Sequence, residues 1–447
     1  MNNLWLGYKN PPVRKKLAKR YSLHRRYLST SLAEQKEAEK IAPIIQALNE
    51  EYLDCSDSDD AEDIQEQIDT LNAFFIDKVF EKENDPEMQP VIRKSNFSID
   101  DIVGDPREHW RFRTKDHLRR VLNCLQIPER CGPLSNGSYL NGEALFLFYL
   151  RRISATKETL NSLSREHHFG EDYSVWSRGF NWMARWLQSR WGYKLYNNMD
   201  YWSSWLPMFS EKIRVLANKV SQGFPNLPTP LPVLNLLANN FSPAAFIDCN
   251  GIHTSRVGSG PIVVNGENRR RHQAQLIQQA YYNGWCRAHG VKFESLDGPN
   301  GMTLNIYGPA SIRHNDLFMV GRSGINDEMS RIQLGDPLQK VMYGDSIYVW
   351  MSHLRSRHGP GSTPLQLAED RAMSSAREAV EHNFGEADQL FPYISHHKNL
   401  KILSGQPIGA IYFTKMLFRN LYVCLYGNKT SERFDCPYPS MEHYMGE

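Results

Sequence analysis

Asp248 closes the short apolar run Ala244-Ala245-Phe246-Ile247, and Cys249-Asn250-Gly251 follows directly. An ionised carboxylate at the tip of a buried strand is costly to desolvate unless a cation or hydrogen bonds compensate. Asp345 sits in the same way after Lys340-Val341-Met342-Tyr343-Gly344. Glu381 lies in the segment 373–384, where Ala376, Val380 and Phe384 recur at helical spacing and form one apolar stripe. Glu381 flanks that stripe, with Arg377 one turn earlier on its side. Taken singly, each acid could be a structural, hydrogen-bonded carboxylate. Converging in the order Asp, Asp, Glu, they would be three hard oxygen donors suited to Mg²⁺ or Mn²⁺ rather than to softer metals. That is the donor set of a two-metal phosphoryl-transfer site.

Such a site needs two strands and a helix to carry it, and residues beyond about 240 supply the pattern. The run ending at Asp248 reads as a strand, with Gly251 as its stop. Segments 291–295 and 302–307 read as two strands joined by Asp297-Gly298-Pro299-Asn300-Gly301, which has the chemistry of a hairpin turn. After Gly308-Pro309 comes Asp316, read as a helix-capping or structural acid with metal contact as the alternative, and a helix to about Gly321. The strand ending at Asp345, an irregular stretch 359–364 and the Glu381 helix follow. An apolar helix over 408–425 would pack on the sheet. Strand, hairpin strands, helix, strand, helix is an RNase H-like order.

The chain has 447 residues, 41% of them hydrophobic and 11% aromatic, which is enough for two or three domains with real cores. A formal net charge of +2 excludes a polycation, so any nucleic-acid contact must come from local patches. The seven cysteines are scattered with no C-x-x-C pair. That pattern argues for a reducing compartment and against a disulfide framework or a structural zinc site. No apolar run approaches the length of a membrane span.

Residues 1–104 form a basic arm followed by an acidic, helix-forming extension. Residues 1–30 hold eight Lys or Arg and no acid, a composition that fits a phosphate-binding arm, a nuclear-import address or a solvated tail. Residues 105–222 read as an all-α domain. Helices over 116–125 and 143–153 are followed by one from Thr156, its N-cap, to His167, and by another over 174–190. The short Gly-containing turn before the last of these resembles a helix-turn-helix. Ser174, Ser177, Arg178, Asn181 and Arg185 would then face DNA, with Trp176, Phe180, Met183 and Leu187 inward. A plain helical bundle has the same pattern. Residues 196–220 continue helical. The proline-rich segment 223–240 separates this part from residues 241–430, and 431–447 form a tail. Arg269, Arg270 and Arg271 make a further basic cluster in the second part.

Beyond the three acids, several blocks resemble the PIF/Harbinger family of eukaryotic DDE transposases. Phe246-Ile247-Asp248-Cys249-Asn250-Gly251 is similar to the family's first-Asp strand, and Tyr343-Gly344-Asp345-Ser346-Ile347-Tyr348 to its second-Asp motif. The run 377–385, REAVEHNFG, resembles the motif that carries the third acid. The run 282–293, YNGWCRAHGVKF, resembles its Tyr-Asn-Gly block, and Pro299-Asn300-Gly301, Gly308-Pro309 and His314-Asn315-Asp316 its hairpin and following loop. The likeness runs from about residue 105 to the end. This chain departs from the family at Asp248-Cys249-Asn250, where Asp-Gly-Thr is usual, and at Ile347, where Gly is usual.

The resemblance implies a metal-dependent endonuclease and strand transferase. It would cut DNA at the terminal inverted repeats of its own element and join the 3′-OH ends to target DNA. It implies an α/β RNase H-like catalytic domain, a mixed sheet flanked by helices, preceded by the helix-turn-helix-like domain. Two Mg²⁺ or Mn²⁺ ions would be held by Asp248, Asp345 and Glu381, with Arg377 in support. It further implies a nuclear protein acting as a homo-oligomer on DNA, with a Myb-like accessory partner and no membrane association. A domesticated descendant that binds DNA without strand transfer is the alternative. An RNase H-like nuclease acting on RNA is a third reading.

Overall fold

A computed structural model of the chain describes residues 92–93, 97–156, 158–166, 169, 173–221, 241–256, 278–333, 339–348, 351–402 and 406–446. The basic arm, the acidic extension, the proline-rich segment and the Arg269-Arg270-Arg271 cluster lie outside these residues.

The first part is helical. Strands β1 (Ile92–Arg93), β2 (Arg130–Cys131) and β3 (Tyr139–Asn141) form a small sheet with β3 in the middle. Helices α1 (Arg107–Trp110) and α2 (Lys115–Cys124) precede α3 (Gly142–Ile153), whose first turn is capped by the Asn141 side chain. A Cβ at Gly142 would sit 1.9 Å from the Pro128 carbonyl oxygen, so only glycine fits this crossing. Helix α4 (Leu160–Glu166) starts later than the Thr156 cap predicts. The arginines ending α3 hold the intervening residues: Arg151 pairs with Glu158 at 2.7 Å and Arg152 donates to the Glu158 carbonyl oxygen. The hydroxyl of Thr159 caps α4 instead, accepting from the Ser162 N–H.

Helix α5 (Tyr173–Trp191) buries Trp176, Phe180, Met183 and Leu187, the inward stripe expected from the sequence. The helical stretch expected over 196–220 is broken into α6 (Met199–Ser203) and α7 (Leu206–Ser221).

The second part is a mixed sheet flanked by helices. Its strands are β4 (Phe241–Thr254), β5 (Tyr282–Asn283), β6 (Ala288–Asp297), β7 (Thr303–Ser311), β8 (Gln339–Tyr343) and β9 (Leu354–Arg355). β6 pairs antiparallel with β4, β5 and β7, while β8 runs parallel to β4 and to β9. The spatial order is β7-β6-β4-β8-β9, with β5 extending the β6 hairpin. One expectation is corrected here: β4 does not stop at Asp248 but continues to Thr254. Its parallel partner ends at Tyr343, yet β6 pairs with it up to Thr254 and supplies the hydrogen bonds that keep it extended.

The helices of this part are α8 (Asp316–Ser323), α9 (Ile325–Ile332), α10 (Pro364–Leu390), α11 (Ile408–Tyr426), α12 (Lys429–Phe434) and α13 (Met441–Met445). α10 starts well before its apolar stripe because Thr363 and Gln366 form a capping box and Pro364 occupies the first turn. No helix among the described residues is long and apolar enough to cross a membrane.

The two parts share one core. The Ile306 N–H donates to the Leu195 carbonyl at 2.7 Å, and the Asn197 N–H donates to Asn305 Oδ1 at 2.8 Å, so residues just before α6 border β7. Phe293 of the sheet stacks on Tyr412 of α11 at 3.8 Å, and Tyr149 of α3 hydrogen-bonds Thr414 of the same helix.

A fully buried guanidinium fixes how α10 lies on the sheet. Arg419 of α11 donates to the Gly301 carbonyl (2.5 Å), to Asn383 Oδ1 (2.6 Å) and to Glu386 Oε2 (3.0 Å). Asn383 in turn donates to Asp297 at 3.2 Å, and Asp297 also accepts from Ser295 and Thr303 at 2.7 Å each. Hairpin, α10 and α11 are thus tied through one polar network in which every member has a partner. Removing the cation takes the counter-charge from Asp297 and Glu386 and leaves Asn383 Oδ1 and the Gly301 carbonyl without this donor. Arg419→Ala is expected to lower stability by about 3–5 kcal/mol, read as the loss in unfolding free energy in urea. An unchanged urea midpoint would mean that the network contributes nothing to holding α10.

Candidate active site

The parallel pairing of β4 and β8 places two of the three expected acids. Its last couple is Phe246 with Tyr343. Asp248 and Asp345 each lie two residues past that couple, Asp248 within β4 and Asp345 just beyond the end of β8. In the β4–β6 pairing Asp248 lies opposite Ser295, on the face that also carries Asp297 and receives α10.

Helix α10 brings the third acid. Arg377 donates through Nη1 to Asp248 Oδ2 at 3.0 Å and through Nη2 to Glu381 Oε1 at 3.1 Å. One guanidinium therefore bridges the strand acid and the helix acid. The i, i+4 contact expected from the sequence is present, and Arg377 reaches Asp248 as well, which spacing alone did not reveal. The Asp248 side chain is 20% exposed and that of Arg377 18%, whereas that of Glu381 is 58% exposed. The strand acid is enclosed, and the helix acid faces solvent.

Burial pushes the Asp248 carboxyl up to about 6. The Cys249 N–H at 2.8 Å and the Arg377 charge oppose that shift, while the charges of Asp316 and Asp345 add to it. Three acids are thus close enough to feel one another, with Arg377 partly neutralising them.

Asp345 follows Gly344 into a turn in which the Tyr348 N–H donates to the Asp345 carbonyl. A Cβ on Gly344 would lie 2.4 Å from the Tyr348 ring, so the turn depends on that glycine. The Tyr348 hydroxyl reaches Cys249 Sγ at 3.6 Å and fastens the Asp345 turn to β4 beside Asp248. Cys249 and Ile347 are both accommodated: the cysteine receives the tyrosine, and Ile347 is 46% exposed.

Asp316 is not the cap of α8. Asn315 is, accepting from the Phe318 N–H at 2.8 Å. Asp316 instead pairs with Lys292 of β6 at 2.8 Å, a structural role that leaves its charge near Asp248.

Among the described residues, no three His, Cys, Asp or Glu side chains are grouped closely enough to hold a metal ion as they stand. The donor chemistry nevertheless suits a hard divalent cation, since Asp248 is an enclosed carboxylate among other acids. For Asp248 and Glu381 to share one ion, Arg377 must release Asp248.

The expected DNA-facing residues Ser174, Ser177, Arg178, Asn181 and Arg185 lie on α5, and all are half-buried. None of them joins the acid cluster. Arg269, Arg270 and Arg271 fall outside the described residues.

The other face of the sheet holds a group that periodicity did not single out. Glu294 lies opposite Cys249 in the β4–β6 pairing and is 1% exposed, with Ser323 of α8 close enough to oppose the upward shift of its pKa. Its Oε2 has no hydrogen-bond partner. Burial pushes this carboxyl up to about 8, with the Asp316 charge adding to the shift.

Comparison with protein-family models, with curated proteins and with solved structures gave no match.

The Glu294 carboxyl retains its proton in the folded chain well above the usual carboxylate range. Between about pH 4.5 and 8 the native state therefore binds more protons than the unfolded state, and stability falls as pH rises through that window. Glu294→Gln removes the titration. The variant is expected to gain on the wild type as pH rises from 5 to 8.5, by an amount on the order of a few kcal/mol. Parallel stability–pH curves for the two proteins in chemical denaturation would refute the assignment.

Proposed function

We propose that this chain is a metal-dependent DNA nuclease of the DDE transposase kind, built on an RNase H-like catalytic domain. One observation carries the reading. Asp248 and Asp345 each stand two residues past the last pair of two adjacent parallel strands, and Arg377 links Asp248 to Glu381 on the crossing helix. Three acids drawn from two strands and a helix are the arrangement the sequence resemblance requires. The strand order β7-β6-β4-β8-β9, with β6 antiparallel to its neighbours, supports the RNase H-like assignment.

In this reading Asp248, Asp345 and Glu381 hold Mg²⁺ or Mn²⁺. The bound ions would activate a water and stabilise the leaving 3′ oxygen of a phosphodiester. Arg377 keeps the carboxylates of Asp248 and Glu381 facing one another and offsets their charge. Tyr348 holds the Asp345 turn against β4. No side-chain nucleophile is required. The substrates are transposon ends and target DNA, the setting is the nucleus, and α5 supplies one DNA contact face. A homo-oligomer on DNA and a Myb-like partner belong to the same reading.

The second reading, a descendant that binds DNA without cutting it, draws on the same Arg377. A guanidinium already satisfying Asp248 and Glu381 is also what a purely structural ion pair would look like. Titration with Mg²⁺ or Mn²⁺ and a cleavage assay separate the two.

Asp248→Asn, Asp345→Asn and Glu381→Gln are each expected to abolish Mn²⁺-dependent cleavage of element-end DNA while leaving duplex affinity largely unchanged. Cleavage that survives one of these substitutions removes that residue from the site. Arg178→Ala is expected to weaken duplex binding several-fold at physiological salt, more so at lower salt, as loss of a phosphate contact does. Unchanged affinity in a filter-binding titration would return α5 to a packing role.

A further inference from the structure

The hairpin formed by β5 and β6 carries an indole that the fold does not use. Trp285 is 95% exposed, at the tip of the turn joining Tyr282–Asn283 to Ala288–Asp297. The turn itself is braced. Asn283 Oδ1 accepts from the N–H groups of Trp285 (2.8 Å) and Cys286 (3.3 Å), and Asn283 Nδ2 donates to the Ile312 carbonyl at 2.7 Å. Arg287 completes the turn with a left-handed φ of 51°. A large apolar ring is thus held out in water on a fixed support, with no packing to offset the exposure.

Among the described residues, the segments that meet here carry charge of one sign. Segments 251–256, 278–293 and 308–315 converge at this end of the sheet, where Tyr282 pairs with His289, His289 with Thr254 and Val291 with Ser311. These segments contain no Asp or Glu. They present Arg256, Arg287 and Arg313 at the surface. Arg256 and Arg313 are held in place by Gln278 Oε1 and the Gln279 carbonyl. Tyr282 is 40% exposed, with its ring 5.1 Å from that of His289.

From this combination we propose that the β5–β6 tip is a binding site for unpaired nucleotides of a DNA strand, with the Trp285 indole stacking on a base and the neighbouring arginines taking the phosphates. Cations alone would select any polyanion. A flat ring held proud among them adds a partner for a base face, which a paired duplex does not expose. Along β4, Asp248 and Thr254 are six positions apart. At about 3.3 Å per residue that is roughly 20 Å, so about six stacked nucleotides at ~3.4 Å each would link this tip to the acid cluster. The choice of DNA as the strand rests on the function proposed above.

The test is fluorescence anisotropy with the full chain in EDTA, so that it does not depend on cleavage. Two fluorescein-labelled probes are compared: a blunt duplex and the same duplex with a six-nucleotide single-stranded tail. Trp285→Ala is expected to weaken binding of the tailed probe about tenfold and to leave the blunt probe within twofold, with Trp285→Phe retaining most of the affinity. Arg287→Ala is expected to weaken both probes. Equal losses on the two probes, or no loss on the tailed one, would overturn the proposal. So would a drop in oligomer mass on Trp285→Ala in light scattering, since the indole would then be covered by a second copy of the chain. A chain that binds the tail through Trp285 but never cleaves DNA would keep this site and lose the nuclease reading.

Discussion

The charge on Asp248 is the constraint around which this end of the molecule is arranged. Its side chain is mostly enclosed, and two other acids add to its electrostatic burden. An enclosed carboxylate of this kind must be met by a cation or else take up a proton. Arg377 provides that cation, and it does so from a helix rather than from the sheet. The position of α10 across the strands is therefore an electrostatic requirement as much as a packing one. In the function proposed above, this is the pair beside which a metal would bind.

Holding Arg377 in register needs anchors along the whole length of α10. Near its start, His358 meets Glu369 at 3.1 Å and the His358 N–H donates to Asp370. In the middle, Arg433 of α12 donates to Ser375. Further on come Asn383 and Glu386 with Arg419, then Asp388 with Lys415. At the end, Arg111 donates to the Leu390 carbonyl and to that of Ser154. The last contact comes from the helical first part. The acid site is thereby coupled to residues more than two hundred positions away in sequence, and helix and sheet cannot slide independently.

The acids were legible because a charged residue interrupting an apolar run is conspicuous. The hairpin at 297–301 was legible because its turn chemistry is local. The Thr363 cap that opens α10 is a local signal as well, yet it lies upstream of the apolar stripe and periodicity alone starts the helix too late. What stayed hidden depends on partners distant in sequence. Nothing around Asp248 shows that β6 would carry β4 on to Thr254. Likewise, nothing near Thr156 indicates that Arg151 and Arg152 would take up Glu158 and delay α4. Asn383 stands two residues from Glu381 and points toward Asp297. Its role follows from Arg419, which arrives on another helix. Glu294 reads as an ordinary strand acid until the β4–β6 register sets it opposite Cys249 and under α8.

Strand β4 carries the two electrostatic extremes of the sheet. Around Asp248 acids gather, with Asp345 and Asp316 close by and Arg377 and Lys292 drawn in as counter-charges. Six residues on, at Thr254, acids are absent from the converging segments and arginines stand at the surface. A polyanion approaching this sheet meets attraction at the cationic end and repulsion at the acidic one, unless a divalent ion screens the latter. The same strand that makes a bare acid site inhospitable to phosphate therefore offers a cationic support beside it. On the readings proposed above, phosphate and metal would depend on each other at the acidic end, whereas the cationic end would hold a strand without metal. The proposed binding and the proposed chemistry would then be separable, because the charges are separated along a single strand.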